Sequence, residues 1–156
     1  MYKSLSPIGP LYLASDGNAL TGLWLEGQNY FPDVSGLGEP QNLPIFQDVL
    51  EWLDCYFGKK SLPPLPPLAP EGSEFRQAVW KQLLKIPYGT TTTYKEIAQT
   101  LGTSPRAVGG AVGHNPISIF IPCHRVLGTG GGMTGYAGGL ERKRFLLELE
   151  RSAHTE

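Results

Sequence analysis

The sequence predicts an α+β protein, in which a small strand-rich N-terminal domain with one helix precedes a mainly helical C-terminal domain. Apolar residues alternate over roughly the first forty positions, as they do in half-buried strands. Five prolines between Pro63 and Pro70 then exclude a helix or a central strand. Helix-capping residues recur beyond them. We therefore expect an N-terminal domain at residues 1–62, a linker at 63–72 and a C-terminal domain at 73–156.

The N-terminal domain is expected to contain a hairpin and a helix. Residues 10–27 alternate on either side of a turn signal, Asp-Gly-Asn at 16–18, which predicts two antiparallel strands. The proline-rich linker predicts an extended, packed connector, although a ligand segment for an SH3-type domain has the same composition. A helix is predicted over 44–57 because apolar residues recur at helical spacing, at Ile45, Val49, Leu50, Leu53 and Phe57.

Three serine or threonine residues precede helical patterns in the C-terminal domain and can cap them, namely Ser73, Thr93 and Ser104. Thr93 is followed three residues later by Glu96, which completes a capping box. The last two helices are short and Gly102 lies between them, which predicts a helix-turn-helix; any tight helical hairpin has the same signals. The first of the three helices has an apolar stripe at Phe75, Val79, Leu83 and Ile86.

The second helix of the short pair has small residues that leave a nearly bare face, at Ala107, Gly109, Gly110, Ala111 and Gly113. Each glycine in a helix interior costs about 1 kcal/mol relative to alanine. Close packing against another helix and close approach of a ligand both explain such a face, and the sequence leaves the two open. Arg106, at the start of this helix, is the polar group that the face offers.

Charge is distributed unevenly along the chain. Residues 1–71 carry three basic and eight acidic side chains, whereas residues 72–156 carry ten basic and six acidic ones. A basic C-terminal half favours a polyanionic partner, although solubility patterning explains the same asymmetry. No apolar run approaches the length of a membrane span, the N-terminus lacks a signal peptide, and two cysteines do not form a disulfide framework. We therefore expect an intracellular, cytoplasmic protein.

Cys123 is the candidate reactive group. The apolar, β-branched run of residues 117–121 follows the turn signal Asn115-Pro116 and predicts a buried strand, which would display Cys123 at its end. His124 is adjacent and is the kind of base that activates a thiol. Neighbouring side chains on an extended segment point to opposite sides, so a direct contact needs a turn, a water or a third group. A carboxylate is expected to orient His124.

Other interpretations of this cysteine compete with a nucleophile, and taken alone the cysteine favours the first of them. A cysteine in an apolar run is most often a small buried hydrophobe. A zinc site is excluded by spacing, because His114 and His154 are isolated and no second Cys or His pair is present. A cysteine peptidase would need local signatures that this sequence lacks. The wider context of Cys123 favours a nucleophile.

That context resembles one family. The ordered elements RAVGGA, NP, the β-branched run, PCHRV, GYAGGL and a closing helix lie between Arg106 and Leu147. Together with the preceding helices, over about residues 73–151, they resemble the O6-alkylguanine-DNA alkyltransferases, also called methylated-DNA–protein-cysteine methyltransferases. The resemblance implies a C-terminal domain that contains a winged-helix-like helix-turn-helix and the reactive cysteine. The first half matches only in type, as a small strand-rich domain.

The resemblance implies roles for four residues in alkyl transfer. Cys123 would attack the alkyl carbon on the guanine oxygen in a single displacement. His124 would deprotonate the thiol through a water, and Glu150 in the closing helix would orient the imidazole. Asn115 would hold the turn and the active-site segment in place. The alkyl group would stay on Cys123, so each molecule would react once.

The resemblance also implies how DNA is bound. The helix-turn-helix would enter the minor groove, whereas most such motifs bind the major groove. The bare face from Ala107 to Ala111, including Gly109 and Gly110, would allow close approach. Arg106 would fill the gap left by the flipped nucleotide, and Tyr94 would lie at its phosphate and could bond to the base.

The loop at 128–139 would form a wall of the base pocket. Tyr136 would stack near the base, and the backbone amide of Ala137 would bond to the guanine oxygen. The carbonyls of Cys123 and Val126 would accept hydrogen bonds from the exocyclic amine. Arg125 is expected to stabilise the local fold.

The expected partner is double-stranded DNA with alkylated guanine, and O4-alkylthymine is a further candidate substrate. We expect a monomer without a cofactor or a membrane contact. Some relatives bind zinc through the N-terminal domain, but residues 1–71 contain only Cys55 and no histidine, so no metal is predicted. Two alternatives stay open at this point: a damaged-DNA binder without transfer activity, and a thiol hydrolase unrelated to DNA.

Overall fold

The first half of the chain contains a three-stranded antiparallel sheet in a computed structural model, which describes residues 2–32, 43–128, 130 and 136–154. The strands are β1 (Tyr2–Ser4), β2 (Leu11–Ser15) and β3 (Leu20–Leu25), in the order β1-β2-β3. Asp16 forms the predicted turn, since its side chain accepts hydrogen bonds from the backbone N–H groups of Asn18 and Ala19, at 2.8 and 2.9 Å. The hairpin is confirmed; β1, only three residues long, was not predicted.

Helix α1 (Pro44–Phe57) has the predicted bounds. Pro44 occupies the first helical position, where no backbone N–H is needed for a hydrogen bond within the helix. A ring contact between Tyr2 and Phe46, with centroids 5.5 Å apart, brings the helix against β1. The buried side of α1 comprises Ile45, Phe46, Val49, Trp52, Leu53 and Tyr56.

The proline-rich segment is a packed connector. Leu20 donates a backbone hydrogen bond to the carbonyl of Pro67, and its own carbonyl accepts one from Ala69, both at 2.8 Å. The segment therefore runs parallel to the start of β3, through an isolated bridge between Leu20 and Leu68.

The second half is mainly helical, as predicted. All three predicted caps are present: the side chains of Ser73, Thr93 and Ser104 each accept a hydrogen bond from the backbone N–H three residues on, at 3.1–3.2 Å. Gly102 ends a helix with φ 69°, a left-handed conformation that favours glycine. The elements are α2 (Glu74–Leu84), β4 (Thr92–Thr93), α3 (Tyr94–Leu101), α4 (Pro105–Gly113), β5 (Val126–Leu127) and α5 (Leu140–His154).

Two short strands tie the site segment to the start of α3. β4 pairs with β5 in parallel, so that Thr92 lies opposite Val126. The small sheet therefore holds the residues that follow Cys123 beside the N-terminus of α3.

The apolar stripe of α2 is as predicted except at its start. Val79, Leu83 and Ile86 are buried, whereas Phe75 is 39% exposed and Trp80 is buried in addition. The Trp80 indole N–H donates to the carbonyl of Ala111 at 2.9 Å, which joins α2 to α4. The buried face of α2 thus gains a large ring whose N–H is satisfied.

The predicted strand at 117–121 was wrong. Ile119 has φ 73°, which a strand does not allow, and the segment coils through turns. Only Ile117 forms a bridge, with Leu23 of β3. The β-branched side chains of this segment are buried. The apolar run therefore indicated that the segment is buried, but not that its backbone is extended.

Both halves of the chain contribute to one continuous core of buried apolar side chains. Trp52 of α1 contacts Phe120 of the coiled segment, with ring centroids 4.4 Å apart. The segment that precedes Cys123 is thus packed between the two halves. None of the helices in the described part of the chain combines the length and apolar character that crossing a bilayer requires.

Candidate active site

Cys123 begins a one-turn 3₁₀ helix (Cys123–Arg125), and does not end a strand. Its side chain is only 2% exposed. Burial raises the pKa of Cys123 to about 11, although the Asn115 amide, the Lys143 ammonium group and nearby backbone N–H groups all act to lower it. The thiol is therefore protonated at neutral pH and needs a base to react.

Asn115 fastens both ends of the segment that leads to the thiol. Its Nδ2 donates to the carbonyl of Ile121 at 2.8 Å, and its Oδ1 accepts from the N–H of Ile117 at 3.0 Å. A hydrogen bond from the same side chain to Cys123 favours the thiolate form. One buried amide thus fixes the backbone and contacts the reactive sulfur.

His124 is buried and pairs with Glu150 of α5. Its Nε2 lies 2.5 Å from Oε2 of Glu150. Its Nδ1 is also buried and has no hydrogen-bond partner among the residues that the structure describes. Burial lowers the pKa of His124 and outweighs the attraction to Glu150. The ring is therefore neutral at pH 7, with a proton on Nε2 and a lone pair on Nδ1.

The Glu150 carboxylate accepts hydrogen bonds from four residues. Besides His124, Arg125 donates through Nε at 2.7 Å and Nη2 at 3.1 Å, and Tyr56 of α1 donates its hydroxyl at 2.5 Å. The backbone N–H of Gly89 donates at 3.3 Å. Burial alone would raise the pKa of Glu150, but the bonds from His124 and Arg125 hold it at about 2. Glu150 is therefore a fixed negative charge.

Arg125 lies within this network. In addition to Glu150, its Nη1 donates to the carbonyl of Ile86 at 2.9 Å, and its guanidinium lies 5.6 Å from the ring centroid of Tyr88. These contacts agree with the expectation that Arg125 stabilises the local fold. They also supply the positive charge that offsets Glu150.

A cavity of about 580 Å³ opens between the two halves of the chain. Tyr94, at the start of α3, and Tyr136 both line it. Burial raises the pKa of both phenols, and the negative charge that Cys123 carries when ionised acts in the same direction. The described residues that line the cavity are Asn29, Tyr30, Tyr94, Pro105, Arg106, Gly109, Val112, Gly113, Tyr136 and Ala137.

The exposed face of α4 borders this cavity. Arg106 is exposed at the start of the helix, and Ala107 and Gly109 are half-buried. Beyond the neighbouring residues and backbone of its own helix, a Cβ atom added at Gly109 or at Gly110 would meet no atom within 4 Å. Internal packing therefore does not require these glycines, which favours close approach of a ligand. Ala111 is only 3% exposed and faces the core, so the bare face is narrower than the predicted stretch.

The segment at 136–139 lies against the N-terminal half. Asn29 donates its backbone N–H to the carbonyl of Ala137 at 2.8 Å. A Cβ at Gly138 would lie 2.5 Å from Cδ1 of Leu25 and 2.7 Å from Cε2 of Tyr136. Glycine at 138 therefore leaves room for the side chains of Leu25 and Tyr136. The rest of the predicted pocket loop, at 129 and 131–135, lies outside the described residues.

Lys143 is a site residue that the sequence reasoning missed. Its side chain is buried, and its Nζ donates to the carbonyl of Val126 at 2.6 Å. This carbonyl was expected to accept a hydrogen bond from a bound base. Because a carbonyl oxygen has two lone pairs, it can accept one hydrogen bond from Lys143 and another from the base. Burial lowers the pKa of Lys143, whereas the proximity of Cys123 raises it. The available signal was spacing, since Lys143, Leu146 and Glu150 follow one another at helical intervals.

Tyr56 was also missed. The sequence reasoning placed this residue on an amphipathic helix of the other half and gave it no role.

The described residues contain no group of three Cys, His, Asp or Glu side chains that converge as metal ligands would.

Comparison with known proteins matches both halves of the chain. The family model described as 6-O-methylguanine DNA methyltransferase, ribonuclease-like domain, matches residues 1–66, and the DNA binding domain of the same description matches 74–152. The methylated-DNA–protein-cysteine methyltransferase of Haemophilus influenzae is 46% identical over 154 residues, which cover 97% of this chain and 86% of the relative. The enzyme of the same name from Mycobacterium tuberculosis is 48% identical over 154 residues, with 97% and 92% covered.

One solved structure adds a comparison of the fold. The crystal structure of Mycobacterium tuberculosis OGT in complex with DNA is similar to this chain, with a TM-score of 0.86 and 45% sequence identity. The match covers 97% of this chain and 92% of that one. The similarity therefore extends over the strand-rich half as well as the helical half.

Proposed function

The chain belongs to the 6-O-methylguanine DNA methyltransferase family, and from that premise we propose that it flips O6-alkylguanine from duplex DNA and transfers the alkyl group to Cys123. Its activity is that of a methylated-DNA–protein-cysteine methyltransferase, which repairs DNA by alkyl transfer. The observation that carries the finer proposal is the neutral His124, whose Nε2 is held by Glu150 and whose Nδ1 has no partner among the described residues.

The transfer step needs a proton acceptor. Cys123 is a neutral thiol at pH 7, because burial raises its pKa to about 11. The lone pair on Nδ1 of His124 takes the thiol proton through a water, and the imidazolium that forms is stabilised by the adjacent carboxylate of Glu150. The two side chains belong to consecutive residues of a 3₁₀ helix, so they point about 120° apart, which leaves room for that water.

The sulfur then displaces the guanine oxygen. A new S–C bond forms as the C–O bond of the alkyl group breaks, and the electron pair of that bond stays with guanine. Guanine recovers its carbonyl and gains one proton. In the net reaction the proton of the thiol is therefore transferred to the base. Burial raises the pKa of Tyr94 to about 12, so its hydroxyl stays protonated and can donate to the bound base.

The reaction ends at the thioether. A thioether carbon lacks a good leaving group, and Cys123 is almost fully buried, so no water-driven step regenerates the thiol. Each molecule reacts once. We propose that O4-alkylthymine, with the same alkyl–oxygen bond, is also accepted, and that a monomer acts, since one chain supplies every residue of the site.

The DNA contact is proposed for the exposed face of α4. Its glycines allow the duplex to approach the backbone closely, and Arg106 lies at the rim of the cavity, where it can fill the space of a flipped nucleotide. Tyr136 would stack near the base, and the amide of Ala137 and the carbonyl of Val126 would bond to it. We propose that this face enters the minor groove, and its small side chains, which allow close approach, together with the single arginine at its start support that groove.

Incubation with a duplex that contains O6-methylguanine, followed by peptide mass measurement, tests this function. A methyl group on the peptide that contains Cys123 supports it, and Cys123→Ser should bind the duplex without gaining the methyl group. A methyl group on Cys55 or on no peptide would contradict it. Binding without transfer would identify a damage-binding protein, and release of product without a modified peptide would identify a hydrolase.

A further inference from the structure

Tyr56 connects the N-terminal half to the catalytic pair across 94 residues of sequence. Its hydroxyl donates to Oε2 of Glu150 at 2.5 Å, and its side chain is fully buried. The ring is stacked on Trp52, with centroids 5.3 Å apart and planes at 14°. Because the ring is held on its face and the hydroxyl has one acceptor, the position of the donor is well defined.

The oxygen that Tyr56 contacts is the one that His124 contacts. Oε2 of Glu150 accepts from the Tyr56 hydroxyl and from Nε2 of His124, both at 2.5 Å, and from Nη2 of Arg125 at 3.1 Å, while Oε1 accepts from Nε of Arg125. Donors that share one oxygen compete for its negative charge, and Tyr56 and His124 are the two at the shorter distance. The Tyr56 hydroxyl therefore weakens the pull of Glu150 on the His124 proton.

We infer that Tyr56 is a positioning residue for alkyl transfer, which acts through Glu150 to orient the His124 ring and to keep it neutral. The inference rests on the proposed role of His124 as the base for Cys123. It assigns a part of the reaction to the strand-rich half of the chain, which supplies α1 and hence the hydroxyl. In the absence of this donor, more charge on Oε2 would stabilise the imidazolium, so that more of His124 would already be protonated at neutral pH and unable to accept the thiol proton.

A purely structural role is the competing explanation. If the Tyr56 hydroxyl is removed, the Glu150 carboxylate still accepts four hydrogen bonds: one from His124, two from Arg125 and one from the N–H of Gly89. Removing one hydroxyl should therefore leave the fold intact. The two explanations differ in the pH dependence of transfer, since a structural role lowers the melting temperature without moving the pH profile. The titratable and charged groups that face the His124–Glu150 pair are Tyr56, Tyr88, Arg125, Tyr136 and Lys143.

Single-turnover kinetics of Tyr56→Phe test the inference. The rate of methyl transfer to Cys123 is measured against pH under saturating duplex. We expect transfer that is roughly three- to tenfold slower at pH 7, because a positioned base contributes about 10²–10⁴ and Tyr56 tunes only part of this. We also expect the acid limb to move to higher pH by roughly half a unit to one unit. The final yield of methylated Cys123 should stay that of the wild-type protein.

Tyr88→Phe is the matched control. Tyr88 contacts the Tyr56 ring edge-on, with centroids 6.1 Å apart, and lies over the Arg125 guanidinium. The Phe variant removes a hydroxyl from the neighbouring ring and leaves the donors to Glu150 in place. Its pH profile should match that of the wild-type protein.

A second variant tests the inference without removing an atom from the core. 3-Fluorotyrosine at position 56 is a stronger donor of nearly the same shape, and it should move the acid limb to lower pH. An acid limb that is unchanged in both Tyr56→Phe and the fluorinated protein would overturn the inference while leaving alkyl transfer intact. Failure of the wild-type protein to methylate Cys123 would instead refute the proposed function.

Discussion

Nε2 of His124 lies 2.5 Å from Oε2 of Glu150, and both side chains are buried beneath the thiol segment. Glu150 is held by donors from α1, from the segment before β4 and from Arg125, so the carboxylate is fixed before any substrate binds. The ring that it orients keeps its second nitrogen available.

The stability of the fold should decline in mild acid. His124 titrates near 6.5 in the unfolded chain and at a lower pH in the folded one, so between these values the unfolded chain binds more protons. The free energy of unfolding should therefore fall as pH falls below 6.5. A further loss follows between 4.5 and about 2, the unfolded and folded pKa values of Glu150. Urea unfolding at several pH values measures this.

The variant His124→Gln provides the comparison for the first window. It lacks the imidazole, so the decline that starts near 6.5 should disappear while the loss at lower pH remains. An identical pH dependence in the variant would show that His124 is not responsible.

Cys123 should react slowly with iodoacetamide in the free protein. The thiol is 2% exposed and its pKa is raised to about 11, whereas reaction requires an accessible thiolate. Cys55 is half-buried and serves as the internal reference. Peptide mapping at pH 7.5 should show Cys55 labelled before Cys123. Faster labelling of Cys123 would indicate a thiolate formed before DNA binds, which would remove the need for His124 as a base.

Gly109→Ala should stabilise the protein and weaken DNA binding. Alanine is favoured over glycine in a helix by about 1 kcal/mol, and beyond the backbone of its own helix the added methyl group would meet no atom within 4 Å. The same methyl group would occupy the surface proposed for the duplex. Thermal unfolding and a binding titration measure the two effects.

Gly102→Ala is the contrasting variant for Gly109→Ala. Its left-handed backbone, with φ 69°, strains any residue with a Cβ, so it should lose stability by about 1 kcal/mol. A variant Gly109→Ala that gains stability without losing affinity would contradict the proposed DNA face.

Arg106→Ala should reduce methyl transfer strongly and affect stability by no more than about 0.5 kcal/mol, since Arg106 is exposed. The physical reason is that this side chain fills the space of the flipped nucleotide. Arg144→Ala, an exposed arginine on α5, is the matched control for charge loss. Fluorescence of 2-aminopurine beside the lesion reports flipping. Equal effects of both variants would assign to Arg106 only a general electrostatic role.

Gly138→Ala should displace Tyr136. The new methyl group would overlap the side chains of Leu25 and Tyr136, and overpacking of this kind costs about 1–3 kcal/mol. Transfer should slow because the wall of the pocket beside Cys123 moves. Unfolding and single-turnover rates measure both effects, and a variant with the stability and rate of the wild-type protein would contradict the packing described for this loop.

Local signals predicted much of the fold. The hairpin, the bounds of α1 and the caps of α2, α3 and α4 depend on residues within a few positions of one another, which a sequence displays directly. The prediction of a strand at 117–121 failed because a β-branched composition indicates burial and not one particular backbone conformation. Ile119 adopts a left-handed conformation within the packing between the two halves, which no local signal displays.

The site was predicted less completely. The motif around Cys123 indicated the nucleophile and its base, but the partners of Glu150 come from distant parts of the chain. Tyr56 lies 94 residues from Glu150, and only the fold brings the two together. Lys143 was missed because lysine is almost always exposed, and its burial depends on a carbonyl acceptor at Val126.

The number of guanines restored per protein molecule tests the central claim most directly. An excess of duplex with O6-methylguanine is incubated with the protein until the reaction stops, and restored guanine is counted by chromatography of the digested DNA. We predict a plateau at one guanine per chain, matched by one methyl group on Cys123. Restoration that continues beyond one per chain, or a plateau reached with Cys123 unmodified, would contradict transfer to this cysteine.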